Sequence, residues 1–211
     1  MTRSLSALLS LAVALGATAA TFTLTSPDGR IKAVVSTGKT LEYSVSYDGL
    51  TVLCPSEIGM TLNNGQQIGP GDAKLVGRDI VDKYIPSPFY RRSEVRERYN
   101  AMTLSLGKSW EVQFRAYDDG AAYRFVSELR KPFCVKDEIA EFNFDRDYHA
   151  FVPYINDNRA GERYCYSFES YYDEAPLSRM YKDSLAITPL MVELENGKKA
   201  VIMEAGLSNY P

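Results

Sequence analysis

Alternation of apolar and polar residues is the feature of this 211-residue chain that most limits its fold. In LEYSVSY, residues 41–47, the side chains of Leu41, Tyr43, Val45 and Tyr47 fall on one face of an extended chain, and an Asp-Gly pair follows. Because successive side chains of a strand point to opposite faces, this period predicts a half-buried β-strand that runs into a turn.

A second segment, WEVQFRAYDDGAAYRFV at residues 110–126, repeats the alternation on both sides of a turn signal. Trp110, Val112, Phe114 and Ala116 share one face, Asp-Asp-Gly follows, and the apolar residues then resume. Two such runs separated by a short Gly-containing turn predict a β-hairpin.

Several shorter segments have the composition of strands. They are FTLTS, IKAVVST, AMTLSL, AEFNF, HAFVPYI, LMVEL and KAVIME. A long, tyrosine-rich segment, Asn156–Met180, is predicted to form either ragged strands or a functional loop. Helical spacing of apolar residues is poor throughout, so the chain is predicted to be all-β, as one large antiparallel β-sandwich.

The first twenty residues have the pattern of a secretory signal peptide. Arg3 precedes an apolar stretch from Leu5 to about Gly16, and Ala-Thr-Ala follows. This stretch is shorter than the roughly 20 apolar residues that a membrane span requires. We therefore assign residues 1–20 to a signal peptide and 21–211 to one domain, and we expect a periplasmic or secreted protein.

Charge and cysteine content exclude several classes of function. The chain has 24 basic and 27 acidic residues, a balance that argues against a nucleic-acid partner. Cys54, Cys134 and Cys165 are too widely spaced for a cysteine metal or redox motif. One disulfide with one remaining thiol is compatible with an oxidising compartment, and the pairing stays open.

Residue types that can act in catalysis are present, but no sequence motif combines them into a recognisable site. His149 is the single histidine, which disfavours a histidine-based catalytic site or zinc site, and a bond to a neighbour is the favoured interpretation. Acidic pairs occur at 118–119, 145–147 and 173–174. Two carboxylates can hydrolyse glycosides, but Asp is also favoured in turns, the preferred interpretation for Asp118 and Asp119.

An arginine-rich segment, Tyr90–Asn100, has two interpretations. Arginines and glutamates alternate here between aromatic residues, which favours a solvated face with ion pairs. The alternative is a docking surface for another domain, since Arg and Tyr are enriched in interfaces. The fifteen tyrosines of the chain are compatible with sugar contact and equally with strand propensity.

Glu204 is the most suggestive single residue. In KAVIMEA its side chain shares a face with Ala200 and Ile202, so an extended strand would turn the carboxylate toward the buried side. Buried carboxylates are paired, hydrogen-bonded or metal-bound, and Ca²⁺ takes oxygen ligands from several carboxylates. An exposed glutamate at a strand end explains the pattern equally well.

An ordered set of segments resembles the N-terminal domain of glycoside hydrolase family 97. The set consists of SPDGRIKAVVS, LEYSVSYDGLTVL, PFYRRSEVRERYNAMTLSL, VQFRAYDDGAAYRFV, EIAEFNF, ITPLMVEL and KKAVIMEAGLSNYP. The resemblance implies a β-supersandwich similar to galactose-mutarotase-like folds, followed in that family by a (β/α)8 barrel and a small β domain. It also implies a calcium-dependent α-glucosidase or α-galactosidase.

In that family the glutamate that matches Glu204 ligates the calcium ion, and the catalytic acid and base belong to the barrel. The resemblance therefore implies a calcium site completed by residues outside this chain, and no catalytic residue within it. Gly206 departs from the Asp or Ala that is usual at its position, a change that is not expected to remove the ligand. We expect the family pattern to continue beyond Pro211.

These observations predict the N-terminal, active-site-supporting domain of a secreted α-glycosidase, inactive alone, with an α-linked oligosaccharide as substrate and the barrel as partner. The alternative is a stand-alone carbohydrate-binding module, which should have a polar surface with an aromatic cleft. A mutarotase-type enzyme is disfavoured because its acid–base chemistry usually requires two histidines. Substrate-binding residues, sugar preference, stereochemical outcome and oligomeric state stay open.

Overall fold

The computed structural model describes residues 20–88, 91–107, 109–155, 168, 170–182 and 184–206. The predicted signal peptide, apart from Ala20, and the predicted continuation at Pro211 lie outside these residues. In the described part of the chain, no helix is long and apolar enough to cross a membrane.

The regular elements are strands, with two short 3-10 turns at Leu177–Arg179 and Glu195–Gly197. The strands are β1 (Thr21–Thr25), β2 (Ile31–Ser36), β3 (Glu42–Tyr47), β4 (Leu50–Leu62), β5 (Gln67–Ile68), β6 (Lys74–Pro86), β7 (Glu94–Ser105), β8 (Trp110–Tyr117), β9 (Ala121–Ser127), β10 (Val135–Ala140), β11 (His149–Val152), β12 (Asp173–Pro176), β13 (Leu190–Glu193) and β14 (Lys199–Ile202).

The strands form three antiparallel sheets. The first has the order β1-β2-β3-β4-β10, with β5 also paired to β4. The second is the meander β6-β7-β8-β9, and the third has the order β12-β11-β13-β14. The prediction of an all-β antiparallel sandwich is therefore confirmed.

The main core lies between the first and second sheets. Val35 and Ile58 from the first sheet belong to one buried cluster with Met102 and Phe114 from the second. The alternation in the sequence produces this core, because the predicted inward residues of both segments are buried, except for half-buried Tyr47, while the residues between them are more exposed. The predicted hairpin at 110–126 is confirmed as β8 and β9.

The third sheet packs around a smaller core of its own. Val152 and Val192 are fully buried there, on the adjacent strands β11 and β13. Val52 on β4 packs against both this cluster and the main core, and so joins the third sheet to the sandwich.

Two strand predictions require correction. AEFNF forms strand only at Ala140. The Glu141 N–H still donates to the Glu57 carbonyl of β4 at 2.9 Å, but the Asn143 N–H donates to Ser56 Oγ at 2.9 Å, which ends the ladder. KAVIME ends as a strand at Ile202. Its partner at that position, Leu190, is the first residue of β13, so Met203 has no partner on that strand.

Two of the three cysteines are placed, and they are not joined to each other. Cys54 is half-buried and Cys134 is exposed, and both are free thiols. The Cys134 carbonyl accepts a hydrogen bond from Asn63, at the opposite end of β4 from Cys54. Cys165 and most of the tyrosine-rich segment 156–180 lie outside the described residues; β12 and a 3-10 turn form near the end of that segment.

Candidate functional site

Glu204 lies just beyond the end of β14, with its side chain exposed. Of the two interpretations that the sequence left open, an exposed glutamate at a strand end describes this position, since β14 ends at Ile202. Two exposed apolar side chains, Val201 and Met203, flank this end of the strand. The carboxylate is consequently available to ligands or groups outside the described residues.

The negative charge of Glu204 contributes to raising the pKa of two groups, Glu138 and Tyr123. Partial burial raises the pKa of Glu138, and the nearby negative charge of Glu204 raises it further. Burial also raises the pKa of Tyr123, with smaller contributions from Tyr43, Glu138 and Glu204. Glu138 lies on β10 and Tyr123 on β9, so the charge of Glu204 acts on two different strands.

Strand register explains why Glu138 and Tyr123 come together. Glu138 pairs with Met60 on β4, which packs against the cluster of Leu62, Ile68 and Trp110. Tyr123 pairs with Phe114, a residue of the main core. Both side chains thus lie on the face of their strand that carries core residues, although Glu138 is exposed and Tyr123 is only half-buried. Each of the two strands pairs on only one side in the described residues.

An aromatic group lines the same region. The Tyr43 and Tyr123 ring centroids are 5.4 Å apart, and those of Tyr123 and Phe125 are 6.2 Å apart. Burial raises the pKa of Tyr43, whose hydroxyl donates to the Glu141 carbonyl at 3.4 Å. Both phenols therefore stay protonated at neutral pH, as neutral groups beside two carboxylates.

This arrangement suits part of a cation site. A carboxylate whose pKa is raised by a neighbouring negative charge, as that of Glu138 is, is relieved by a bound cation, and Ca²⁺ prefers carboxylate oxygens. Ca²⁺ also requires about six to eight oxygen ligands. In the described ranges no group of three or more His, Cys, Asp or Glu side chains could hold a metal ion, so Glu204 and Glu138 fit only as a fraction of such a site.

Glu138 was not singled out by the sequence pattern. All six residues of β10 are exposed, so burial does not distinguish its two faces, and a sequence does not show which strand comes close to the chain after β14. A charged residue on an edge strand also has an ordinary explanation, since inward-pointing charges protect edges from wrong pairing.

Two carboxylates of the other acidic segments, Asp118 and Asp147, accept hydrogen bonds from other parts of the fold. Asp118 lies in the turn between β8 and β9, as predicted, but its carboxylate accepts hydrogen bonds from outside that turn, from the Asp28 N–H at 2.9 Å and from Arg98 at 2.8 Å. Asp147 accepts two hydrogen bonds of 2.7 Å from the N–H and the hydroxyl of Ser178, which lower its pKa.

His149 lies beside an acidic neighbour on the surface. Its Nδ1 is 3.7 Å from Glu174 Oε1 on the adjacent strand β12, with both side chains more than half exposed. The favoured interpretation of His149, a contact with a neighbouring residue at a strand end, agrees with this position.

The arginine-rich segment forms much of β7, and its charged side chains are paired across strands. Arg96 donates two hydrogen bonds of 2.7 Å to Asp82, and Lys83 lies 3.3 Å from Glu97. The Arg115 guanidinium lies 4.3 Å from the centroid of the Tyr99 ring. The interpretation as a solvated face with ion pairs therefore describes this segment.

A family model described as glycosyl-hydrolase 97 N-terminal matches residues 24–211. Over 195 residues the chain is 45% identical to a retaining alpha-galactosidase of Bacteroides thetaiotaomicron, an alignment that covers 90% of this chain and 29% of that protein. The chain thus spans less than a third of this curated relative.

Solved structures of larger glycoside-cleaving enzymes contain the same fold. A glycoside hydrolase family 97 enzyme from Pseudoalteromonas sp. strain K8, in complex with acarbose, matches with a TM-score of 0.69 at 23% identity, covering 88% of this chain and 28% of that one. A beta-arabinopyranosidase matches with a TM-score of 0.73 at 26% identity, covering 88% of this chain and 31% of that one.

Proposed function

Because this chain belongs to the glycosyl-hydrolase 97 family and matches its N-terminal domain, we propose that it is the active-site-supporting part of a secreted α-glycosidase and contributes Glu204 as a calcium ligand. The matched relative is a retaining alpha-galactosidase, which favours α-linked galactosides as the substrate and retention as the outcome. The catalytic carboxylates belong to a downstream barrel, and the protein acts in the periplasm or outside the cell.

The observation that carries this proposal is the position of Glu204. Its exposed carboxylate lies two residues beyond the end of β14, and its negative charge raises the pKa of a second carboxylate, Glu138. Calcium at such a site would polarise the sugar oxygen and orient the substrate. Glu204 holds the ion from the sandwich side, and oxygens from outside the described residues complete the coordination.

Exposed apolar side chains around this end of the fold support a docked domain. Met203 is 69% exposed directly beside Glu204, and Val201 is 51% exposed. On β10, Val135 and Ile139 are also exposed. Apolar patches of this kind mark interaction surfaces, so they favour a neighbouring domain over a module that stands alone.

The experiment compares calcium dependence in the protein that joins this domain to its catalytic domain. We expect Glu204→Gln to weaken the activation by calcium by about tenfold or more, since one of few charged ligands is lost. Glu193→Gln is the matched control, because Glu193 is an exposed carboxylate that pairs with Lys199 on the same sheet. Equal calcium dependence in both variants contradicts the role of Glu204.

A second measurement uses the 211-residue chain alone. We expect no release of nitrophenol from nitrophenyl α-galactoside or α-glucoside, with or without calcium. Calorimetry should give calcium binding weaker than micromolar, because the chain supplies too few oxygens. Measurable turnover, or micromolar binding, contradicts an incomplete site.

A second candidate function, carbohydrate binding without hydrolysis, is favoured by exposed tyrosines. Tyr181 is exposed and its ring centroid is 5.0 Å from that of buried Tyr154, while exposed Tyr172 packs edge-on against Phe168 at 5.4 Å. Flat aromatic rings of this kind can stack on sugars. Retention of the chain on immobilised α-glucan or galactan, lost on Tyr181→Ala, would favour this candidate.

A further inference from the structure

The longest edge of the second sheet is unpaired within the described ranges. Strand β6 spans thirteen residues and pairs only with β7. Its apolar side chains Val76, Ile80 and Tyr84 are 55%, 84% and 64% exposed. A long edge strand with exposed apolar side chains is a template for pairing with another strand.

Hydrogen bonding in the hairpin shows which backbone groups point away from β7. The Ser87 N–H donates to the Ser93 carbonyl at 2.8 Å, which makes these two residues a hydrogen-bonded pair. The register is continuous from the pair of Pro86 and Glu94 to the pair of Arg78 and Met102. Because hydrogen-bonded pairs alternate along an antiparallel ladder, the odd-numbered residues of this stretch bond to β7.

The even-numbered residues consequently present their backbone groups to the free edge. Arg78, Ile80 and Asp82 each have an outward N–H and an outward carbonyl. The pairing of β7 with β8 is consistent with this assignment, since the Leu106 N–H donates to the Trp110 carbonyl at 2.9 Å, which makes even-numbered residues of β7 bond to β8.

We propose that β6 pairs antiparallel with β6 of a second copy of this chain, about a twofold axis at Ile80. This register sets the outward groups of Ile80 against those of Ile80 in the second copy. It also sets Arg78 opposite Asp82 of the second copy, and Asp82 opposite Arg78. All three pairs are of the hydrogen-bonded type, so the outward N–H groups of Arg78, Ile80 and Asp82 each meet an outward carbonyl.

Charge complementarity is the reason for choosing a second copy as the partner. Opposite charges directly across two strands stabilise their pairing, and the twofold axis produces this contact twice. Asp82 already accepts two hydrogen bonds from Arg96, and Arg98 lies 3.9 Å away. Arg78 donates one hydrogen bond to the Thr23 carbonyl at 2.9 Å, and its remaining N–H groups can reach a carboxylate.

The ends of β6 limit the pairing to one closed dimer. At one end the register shifts between Leu75 and Gly77, and such irregularities interrupt a ladder. At the other end Pro86 occupies an even-numbered, outward position and has no N–H to donate. About seven residues of this edge are therefore available for pairing. In the twofold arrangement they all pair with the same segment of the second copy.

The test measures the mass of the chain in solution over a wide range of concentration, by sedimentation equilibrium. We expect a reversible equilibrium between the 23.6 kDa chain and a species of twice that mass, less the leader if it has been removed. Ile80→Pro should abolish the dimer, because it removes an outward N–H and leaves the bonds to β7 in place. A chain that is monomeric throughout, or an Ile80→Pro variant that still dimerises, overturns the proposal.

Charge exchange gives a second, sharper readout. Arg78→Asp and Asp82→Arg should each weaken self-association by about tenfold or more, since each places like charges opposite one another twice. Mixed in equal amounts, the two variants should form a heterodimer, because every pair is again of opposite charge. Failure of the mixture to associate more tightly than either variant alone overturns the register.

The control is Lys83→Gln, which removes a charge from the same strand. Lys83 would lie opposite Gly77 of the second copy, so its loss should leave the dimer unchanged. Trp110 fluorescence checks that each variant is folded, since this side chain is buried. Amide exchange should show protection at Ile80 that rises with protein concentration, and protection independent of concentration contradicts pairing at this edge.

Discussion

The guanidinium of Arg98 lies 2.8 Å from the carboxylate of Asp118, and this contact joins β7 to the turn between β8 and β9. The other oxygen of Asp118 accepts the N–H of Asp28, in the turn between β1 and β2. One turn carboxylate therefore ties together two sheets that face each other across the main core.

We expect Asp118→Ala to lower the free energy of unfolding by about 1–2 kcal/mol, because two hydrogen bonds are lost from partly exposed groups. Asp119→Ala is the control, at the next and more exposed position of the same turn. It should change stability by less than about 0.5 kcal/mol. Urea denaturation measures both, and equal losses would show that turn propensity outweighs the contact between sheets.

Phe114→Ala should lower the free energy of unfolding by about 3–5 kcal/mol, because it leaves a cavity in the main core. Phe114 is 2% exposed, whereas Phe133, which lies edge-on to Trp110, is 46% exposed. Phe133→Ala should therefore cost much less. Thermal or urea unfolding checks the difference, and similar losses would contradict the location of the core.

Gly59→Ala should destabilise the fold by about 1–3 kcal/mol, since overpacking a close backbone contact forces a shift. A Cβ at Gly59 would lie 2.9 Å from the Ile68 carbonyl of the short strand β5. At Gly77 the nearest atom is a Thr103 side-chain carbon at 3.6 Å, an ordinary contact. Gly77→Ala should thus be neutral or slightly stabilising, and chemical denaturation distinguishes the two.

Acid should weaken the fold partly through Asp147. Hydrogen bonds from Ser178 lower its pKa in the folded state below the ordinary value of 3.8. The contribution to stability is therefore fully present above that ordinary value and is lost as the pH falls through the lower, folded-state pKa. We expect Asp147→Asn to show a shallower loss of stability than the unmodified protein between about pH 5 and about pH 2.

Asp119→Asn is the control for this measurement, because it makes the same charge change in an exposed turn. Urea denaturation at several pH values gives the slopes. An Asp147→Asn slope as steep as that of the control would contradict a role for the Ser178 contacts.

Glu204→Gln should lower the pKa of Glu138, since it removes one of the two causes that raise it. The remaining cause, partial burial, should keep the pKa above its ordinary value. NMR titration of the Glu138 carboxyl carbon in calcium-free buffer measures the shift. Glu193→Gln serves as the control, and an unchanged pKa in Glu204→Gln would mean that the two carboxylates are not neighbours.

Alternation predicted the strands that have one face in the core, and it failed where no face is buried. The residues of β8 alternate strictly between buried and half-buried, so the period of two is plain in the sequence. Strand β6 was not predicted, because the segment KLVGRDIVDKYIP is exposed on both faces for most of its length and its residues follow no simple period.

The candidate site shows the same limit. The resemblance of the surrounding segment to a known family indicates Glu204, whereas alternation alone does not decide whether its side chain is buried or exposed. Its proximity to Glu138 depends on how β10 returns to pair with β4 across the residues of β5 to β9, a long-range contact that local sequence does not encode.

The main core is built from the N-terminal part of the chain, and this determines when it can fold during synthesis. All of its apolar side chains come from residues 22–125, and both of its sheets are built mostly from strands that are neighbours in sequence. Contacts between neighbouring segments form quickly, and domains fold as they emerge from the ribosome. We therefore expect the nascent chain to form this core before Glu204 is translated, so that Glu204 joins a sandwich that has already folded.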